Sequence, residues 1–315
     1  MSALRDGALE YIAIRRALGA RFLEPGQALG HFVDFLEREG AQFVTSELAL
    51  RWAREPLGVQ PSTWARRLGI VRGFAAWLSA FDPRTQVPPK GLIRARHRRR
   101  RPHIYSDQEI GELMIEAGRL HSPTGLRSLT FVTLIGLLAA TGLRPGEAPA
   151  LDVADVDLEN GVLTVRNTKF GKTRWVPVDD STRAALTRYA DRRDELCRRR
   201  QTGAFLVSAA GERLQHDTPR RTFAQLCRAI GLRGTREGKR VGRGPRLQDL
   251  RHTFATRRLV EWYRAGLDVE RMIPGLATYL GHVDVAHTYW YVQAIPELLQ
   301  LATERLMAGR QGGAP

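Results

Sequence analysis

Pro88, Pro89 and Gly91 precede six arginines, Arg94, Arg96, Arg98, Arg99, Arg100 and Arg101, and Pro102 follows them. No continuous helix runs through such a stretch, because proline removes a backbone donor and clashes with the preceding turn. The chain is therefore expected to fold in two parts: a helical domain over 1–90, a basic interdomain linker over 91–104, and a second domain over 105–315. At 315 residues, each part is long enough for its own apolar core.

Charge follows the same division. The formal net charge is +16, from 49 Lys+Arg against 33 Asp+Glu. Residues 1–90 contribute +3, the eleven residues 91–101 contribute +6, and the remainder +7. Only four of the basic residues are lysines, Lys90, Lys169, Lys172 and Lys239. Codon usage accounts for arginine over lysine but not for basic over acidic, so a polyanionic partner is expected. The hydrophobic and charged fractions, 43% and 26%, are ordinary for a globular protein and exclude a disordered basic tail. The longest apolar stretch, about 131–140, is well short of the roughly 20 residues that span a bilayer. Arg5, Asp6 and Glu10 break up any secretory signal, and two cysteines, Cys197 and Cys227, suggest a reducing compartment. A cytoplasmic protein without a membrane partner is the expectation. The eight histidines form no metal-ligand spacing, so neither metal nor cofactor is expected.

Apolar periodicity predicts helices over 27–39, with Leu29, Phe32, Val33 and Leu36 on one face, and over 61–80, with Leu68, Val71, Ala75 and Leu78. Trp64, Trp77 and Phe81 are expected in the core of this small bundle. Ser106 and Glu109 form a capping box that opens another helix. The stripe Phe131, Leu134, Ile135, Leu138 ends at Gly142, a residue suited to a left-handed helix stop. Around 161–178 the period changes to two: Leu163 and Val165, then Val176 and Val178, flank Lys169-Phe-Gly-Lys172 as a hairpin with Gly171 in its turn. Helices return over 181–200 and 217–230, and a Gly/Arg-rich loop at 231–244 precedes a long helical stretch. The fold class expected is mainly α, with a small β-sheet or hairpin in the second domain.

Four segments carry chemistry in a fixed order. Thr141-Gly-Leu-Arg144-Pro-Gly-Glu147 reads as a helix stop followed at once by a helix start, with Pro145 at its first position and free N–H groups beside Arg144. The hairpin with Lys169 and Lys172 comes next. Gln248-Asp-Leu-Arg251-His252 follows, with Gln248 and Arg251 on one helix face at i, i+3. Tyr279-Leu-Gly281-His282 is last, with Tyr291 nine residues beyond His282, in Thr288-Tyr-Trp-Tyr291.

These segments, at these separations and in this order, resemble the tyrosine recombinase (phage integrase-like) family over about 105–305. The N-terminal helices and basic linker are similar to that family's core-binding domain, and the ending looks like that of transposon-type members. The resemblance implies a two-domain architecture, a helical core-binding domain and an α+β catalytic domain, that breaks and rejoins DNA strands. By matching position, Tyr291 would attack a DNA phosphorus, leaving a 3′-phosphotyrosyl link and a free 5′-hydroxyl. Arg144 and Arg251 would hold the non-bridging oxygens, and His282 would hydrogen-bond one of them. Lys169 would protonate the leaving oxygen, with Lys172 as runner-up; lysine can cycle a proton where arginine hardly can. Tyr289 is the competing nucleophile, but two residues along a helix it should point elsewhere. The linker arginines Arg94, Arg96, Arg98, Arg99, Arg100 and Arg101 would contact DNA. The family also implies double-stranded DNA as partner, four protomers on two sites, and no ATP or magnesium.

One position departs from the pattern. Gln248 stands where the family usually has histidine, and an amide cannot take up and release a proton near neutral pH. That substitution raises an alternative, a weakly active or non-catalytic DNA-binding subunit that relies on a partner recombinase. A type IB topoisomerase is a weaker third reading. His252 should point to another face, where the family treats it as structural. Leu298, Leu299, Ala302 and Leu306 recur at helical spacing and would pack either on their own domain or on a neighbour.

Overall fold

A computed structural model of the chain describes residues 2–20, 22–95, 101–166, 173–198, 202–215, 217–234, 244–294, 298–300 and 303, with backbone only at 292–294. They fall into two compact units, Met1–Arg100 and Arg101–Pro315. Of the linker arginines, Arg94 and Arg101 are exposed; Arg96, Arg98, Arg99 and Arg100 lie outside the described residues.

The first unit is built from α1 (Ala3–Ala17), α2 (Leu23–Arg38), α3 (Ser46–Arg54) and α4 (Pro61–Leu78). The predicted helices over 27–39 and 61–80 correspond to α2 and α4. Helices α1 and α3 were not predicted individually: α1 buries Leu4, Ala8 and Tyr11, and α3 buries Ala49, Trp52 and Ala53 at helical spacing. Local capping marks their starts, since the Ser2 and Thr45 hydroxyls accept the N–H groups of Arg5 and Leu48. Phe32, Leu36, Trp52 and Phe74 form the centre of the core. The aromatic expectation therefore needs correcting. Trp77 packs at the edge of this core, and half-buried Trp64 donates its indole N–H to the Pro56 carbonyl at 3.0 Å. Phe81, beyond the end of α4, is 68% exposed.

The second unit opens with α5 (Asp107–Gly118) and α6 (Leu126–Thr141), followed by two single 3₁₀ turns, Ala148–Ala150 and Val153–Asp155. A three-stranded antiparallel sheet comes next, in the order β1 (Val156–Asp157), β2 (Val162–Val165), β3 (Arg174–Pro177). Then come α7 (Asp180–Leu196), α8 (Thr218–Ala229), α9 (Asp249–Arg264), α10 (Val269–Leu280) and α11 (Ala286–Ala294). This is the mainly helical fold with a small sheet that the sequence predicts. The Ser106–Glu109 capping box opens α5, with both reciprocal hydrogen bonds present.

Helix α6 is central because apolar side chains surround it: it packs against α5, α7 and α9. In the sheet, Leu163 pairs with Val176 and Val165 with Arg174. Leu163, Val165 and Val176 are buried on one face, while Trp175 on the opposite face is 75% exposed. Alternation along β3 therefore turns Arg174 inward. A second apolar cluster joins α9, α10 and α11 through Phe254, Leu259, Ile273, Leu280 and Tyr291, and Leu298 is buried within it. Leu298 thus packs on its own unit. Leu299 is exposed, and Ala302 and Leu306 lie outside the described residues.

Candidate active site

Two helices end at glycines in the left-handed conformation, α6 at Gly142 (φ 61°) and α10 at Gly281 (φ 69°). A Cβ on Gly142 would lie 2.6 Å from the Phe254 ring, and one on Gly281 would lie 2.9 Å from Arg174, so both positions exclude a side chain. Helix ends leave carbonyl oxygens without partners and carry partial negative charge. Here guanidinium groups satisfy them. Arg251 donates from Nη1 to the Gly142 carbonyl at 2.9 Å and from Nη2 to the Leu280 carbonyl at 2.6 Å. Arg144 donates from Nη2 to the Gly281 carbonyl at 2.7 Å, and Arg174 from Nε to the Tyr279 carbonyl at 2.9 Å. The same carbonyls that end α6 and α10 hold the three cations beside one another.

Arg144 sits in a turn, not at the start of a helix. Its backbone N–H donates to Glu147 Oε2 at 2.9 Å, so the free N–H groups expected beside it are not free. Pro145 opens no helix; a single 3₁₀ turn begins only at Ala148. Glu147 also accepts Arg144 Nη1 on Oε1 at 2.6 Å and Arg174 on both oxygens, at 3.1 and 2.7 Å. Burial alone would raise the Glu147 carboxyl; the hydrogen bonds and charge of Arg174, with those of Arg144, outweigh it and hold it below the usual carboxylate range. Glu147 is therefore the anion that keeps two guanidiniums close.

Arg251 is 2% exposed. Burial, reinforced by the charge of Arg144, lowers its guanidinium to about 10, so it remains a cation at neutral pH. With two of its five N–H donors directed to carbonyls, the others remain for an oxyanion. A guanidinium locked this way is preorganised, and such donors are worth on the order of 10²–10³ in rate at comparable sites.

His282 follows Gly281 directly. Its Nδ1 lies 2.7 Å from the hydroxyl of Thr288, which is fully buried. Among the described residues that hydroxyl has His282 as its hydrogen-bond partner. A buried hydroxyl proton left unpaired costs about 1–3 kcal/mol, so the hydroxyl donates to Nδ1 and the imidazole proton sits on Nε2. Burial, and then the charges of Arg251 and Arg144, lower the His282 pKa to about 3. His282 is thus a neutral ring that presents an N–H donor. Thr288→Val keeps the shape but releases the ring to either tautomer. It should shift the His282 ¹⁵N resonances and slow strand cleavage about tenfold, the value of one net hydrogen bond, while Thr288→Ser retains both. Unchanged resonances in the valine variant would rule out this arrangement.

The same shift makes stability depend on pH. Between about 3 and 6.5 the unfolded chain binds a proton at this histidine and the folded chain does not. The contribution of His282 is therefore intact above about pH 7 and falls as pH drops through 6.5 toward 3. Urea unfolding at pH 7 and pH 5 should show a smaller loss for His282→Gln than for the unaltered chain.

Tyr291 is 2% exposed, within α11, and its hydroxyl lies 3.1 Å from His252 Nδ1. Its ring stacks on that of His282 at a centroid separation of 6.4 Å and lies 5.4 Å from that of His252. Tyr289 is 42% exposed on another face of α11. His252 does point to another face of α9 than Arg251, since consecutive helix positions differ by about 100°, and α11 covers that face, so the ring meets Tyr291. Gln248 caps the start of α9 with a half-buried side chain that makes no hydrogen bond among the described residues. Lys169 and Lys172 lie outside the described residues. No cluster that could hold a metal ion and no helix long and apolar enough to cross a membrane occurs among the described residues.

Arg144, Arg251, His282 and Tyr291 thus converge, and Glu147, Arg174, His252 and Thr288 join them without having been predicted. Arg174 had a legible signal, a charge on the inward-facing register of a strand whose neighbours are valines. Glu147 stood three residues from Arg144. The roles of His252 and Thr288 depend on how α9 and α11 meet and had none.

The phage integrase family model matches residues 105–297. A Sinorhizobium fredii protein named as integrase/recombinase y4rB is 47% identical over 310 residues, covering 97% of this chain and 98% of its own. The tyrosine recombinase XerD of Caulobacter vibrioides is 30% identical over 323 residues, covering 99% and 98%. Among solved structures, the Tn1549 transposon integrase in complex with transposon right end DNA superimposes with a TM-score of 0.63 at 17% identity, over 96% of this chain and 99% of that one. The XerH recombinase bound to its difH substrate gives 0.63 at 16% identity, over 89% and 77%. With its site residues gathered around one tyrosine, the chain belongs to the phage integrase family, the tyrosine recombinases, which break and rejoin DNA strands.

Proposed function

We propose that this chain recombines DNA at specific sites through Tyr291. The phenol oxygen attacks a phosphorus, the P–O5′ bond breaks, and a 3′-phosphotyrosyl link stores the bond energy for resealing. Arg144 and Arg251 hold the non-bridging oxygens, and His282 donates from Nε2. Lys169, or Lys172, returns a proton to the leaving 5′-oxygen; Gln248 contributes at most a hydrogen bond. The observation that carries this reading is that two guanidiniums bind the last carbonyls of α10, at Leu280 and Gly281, directly beside His282, whose ring stacks on that of Tyr291. A guanidinium's planar fork matches a phosphate and stays charged while the phosphoryl group changes shape.

The partner is double-stranded DNA, gripped by exposed basic residues that include Arg94 and Arg101 of the linker. Four copies acting on two sites in the cytoplasm complete the reading. Relatives support the assembly: one solved neighbour is a lambda integrase tetramer bound to a Holliday junction. The test is to trap covalent protein–DNA adducts from cells expressing the chain, sequence the DNA and map the modified peptide. A nucleotide-bearing peptide containing Tyr291, with reads focused on few sites, is the expected result. Adducts on another residue, or none, would overturn the proposal.

A further inference from the structure

We infer that His252 is the general base for strand cleavage, taking the proton of Tyr291 as the phenol oxygen attacks phosphorus. The inference rests on the reading of Tyr291 as nucleophile. It begins from an unmet need, since a phenol with an ordinary pKa near 10 is mostly protonated at neutral pH. Some group must receive that proton when the O–P bond forms.

The other groups near Tyr291 fail for separate reasons. Gln248 has an amide, which does not accept a proton near neutral pH. Arg144 and Arg251 are cations and donors only. His282 is in reach of the tyrosine ring, but its Nδ1 is occupied by the buried Thr288 hydroxyl and its Nε2 carries the proton. It gives hydrogen bonds and has no lone pair for the phenol. His252 remains. Its Nδ1 is 3.1 Å from the Tyr291 oxygen, within the reach required of a base. Its ring packs against those of both Tyr291 and Trp290, with centroid separations of 5.4 and 5.6 Å, and these contacts restrict its orientation.

The step balances. In the Nε2–H tautomer of His252, the Tyr291 O–H bond breaks and its proton passes to the lone pair of Nδ1, forming an imidazolium. The phenol electron pair forms the O–P bond and the P–O5′ bond breaks, the leaving oxygen taking its proton from the acid of the hairpin. Resealing reverses each transfer. His252 thus supplies from the position after the second arginine what Gln248 cannot supply from three positions before it.

The test uses the full chain and a nicked duplex carrying the trapped DNA sequence. His252→Asn keeps a polar atom near Nδ1 but cannot take a proton; single-turnover cleavage should fall about a hundredfold or more, in line with the 10²–10⁴ typical of a general base. Replacing Tyr291 by a fluorinated tyrosine of lower phenol pKa should then restore at least tenfold of the variant's lost rate. A merely structural role would leave the defect insensitive to phenol acidity. Gel retardation and the thermal midpoint report on folding; if His252→Asn fails them, His252→Gln carries the same comparison. Fluorination in the unaltered His252 background is a readout that needs no histidine substitution. Base-assisted attack should change little, whereas unassisted attack should speed up. Cleavage by His252→Asn at the unaltered rate, or a defect that fluorination does not relieve, would overturn the inference. A faster variant would also overturn it, showing that the contact sequesters the tyrosine. Failure of the nucleophile reading is distinguishable, because adducts would then persist in Tyr291→Phe.

Discussion

Tyr291→Phe is expected to eliminate covalent adduct on a nicked substrate while leaving the fold and DNA retention intact. The substitution removes one oxygen from a ring that is 2% exposed and packed against His252, His282 and Trp290. The ring and its apolar contacts remain, and the lost hydrogen bond to His252 is worth about 1 kcal/mol of stability. On the proposed reading the chemistry has no such reserve: the phenol oxygen is the attacking atom, and the loss should exceed the detection range of a denaturing gel. Tyr289→Phe is the matched control. Tyr289 is 42% exposed on the same helix, and its variant should form adduct at the unaltered rate. Adduct surviving in Tyr291→Phe and lost in Tyr289→Phe would exchange the two assignments.

Glu147→Ala should be the most damaging change outside the nucleophile, and through stability as much as through rate. The Glu147 carboxylate accepts the Arg144 backbone N–H and side chain together with both ends of the Arg174 fork. The Arg174 and Glu147 side chains are 9% and 10% exposed, so the alanine variant leaves a desolvated cation without its anion. Breaking one partner of a buried pair costs about 3–5 kcal/mol, a large share of the roughly 5–15 kcal/mol that stabilises a typical domain. Arg144 would also lose the contact that holds it at 2.6 Å, and cleavage should fall with it. Glu147→Gln preserves the shape and two acceptor positions, so it should lose less stability than alanine. Urea unfolding of the three proteins checks the order. A cost below about 1 kcal/mol for Glu147→Ala would mean that Arg174 finds another partner and that Glu147 does not organise the site.

Much of this molecule is written locally. The capping box at Ser106, the helix stop at Gly142, the alternation of Leu163, Val165, Val176 and Val178, and the stop at Gly281 all depend on neighbours within a few residues. Each appears in the structure where the sequence places it. Helices α1 and α3 bury three residues each, and in α3 these sit at i, i+3 and i+4, so that helix carries a local signal that the predicted helices of this region do not use. Phe81 misled because aromatic type alone does not say whether the helix continues far enough to cover it.

The site divides the same way. Arg144, Arg251, His282 and Tyr291 were singled out because their order and spacing resemble a family pattern, and spacing is a property of the chain. Nothing in that spacing says which atom meets which. Arg174 reaches Glu147 because β3 turns it inward beside the turn after α6, a contact between residues 27 positions apart. His252 meets Tyr291 across 39 positions, where α9 and α11 pack, and Thr288 sets the proton on His282 only because burial leaves its hydroxyl one partner. Sequence alone determined the helical class and the family. Tertiary structure decided which carboxylate holds the arginines, which hydroxyl meets the His282 ring and which histidine faces the Tyr291 oxygen. Those are long-range contacts, and their energies depend on burial that no local run of residues specifies.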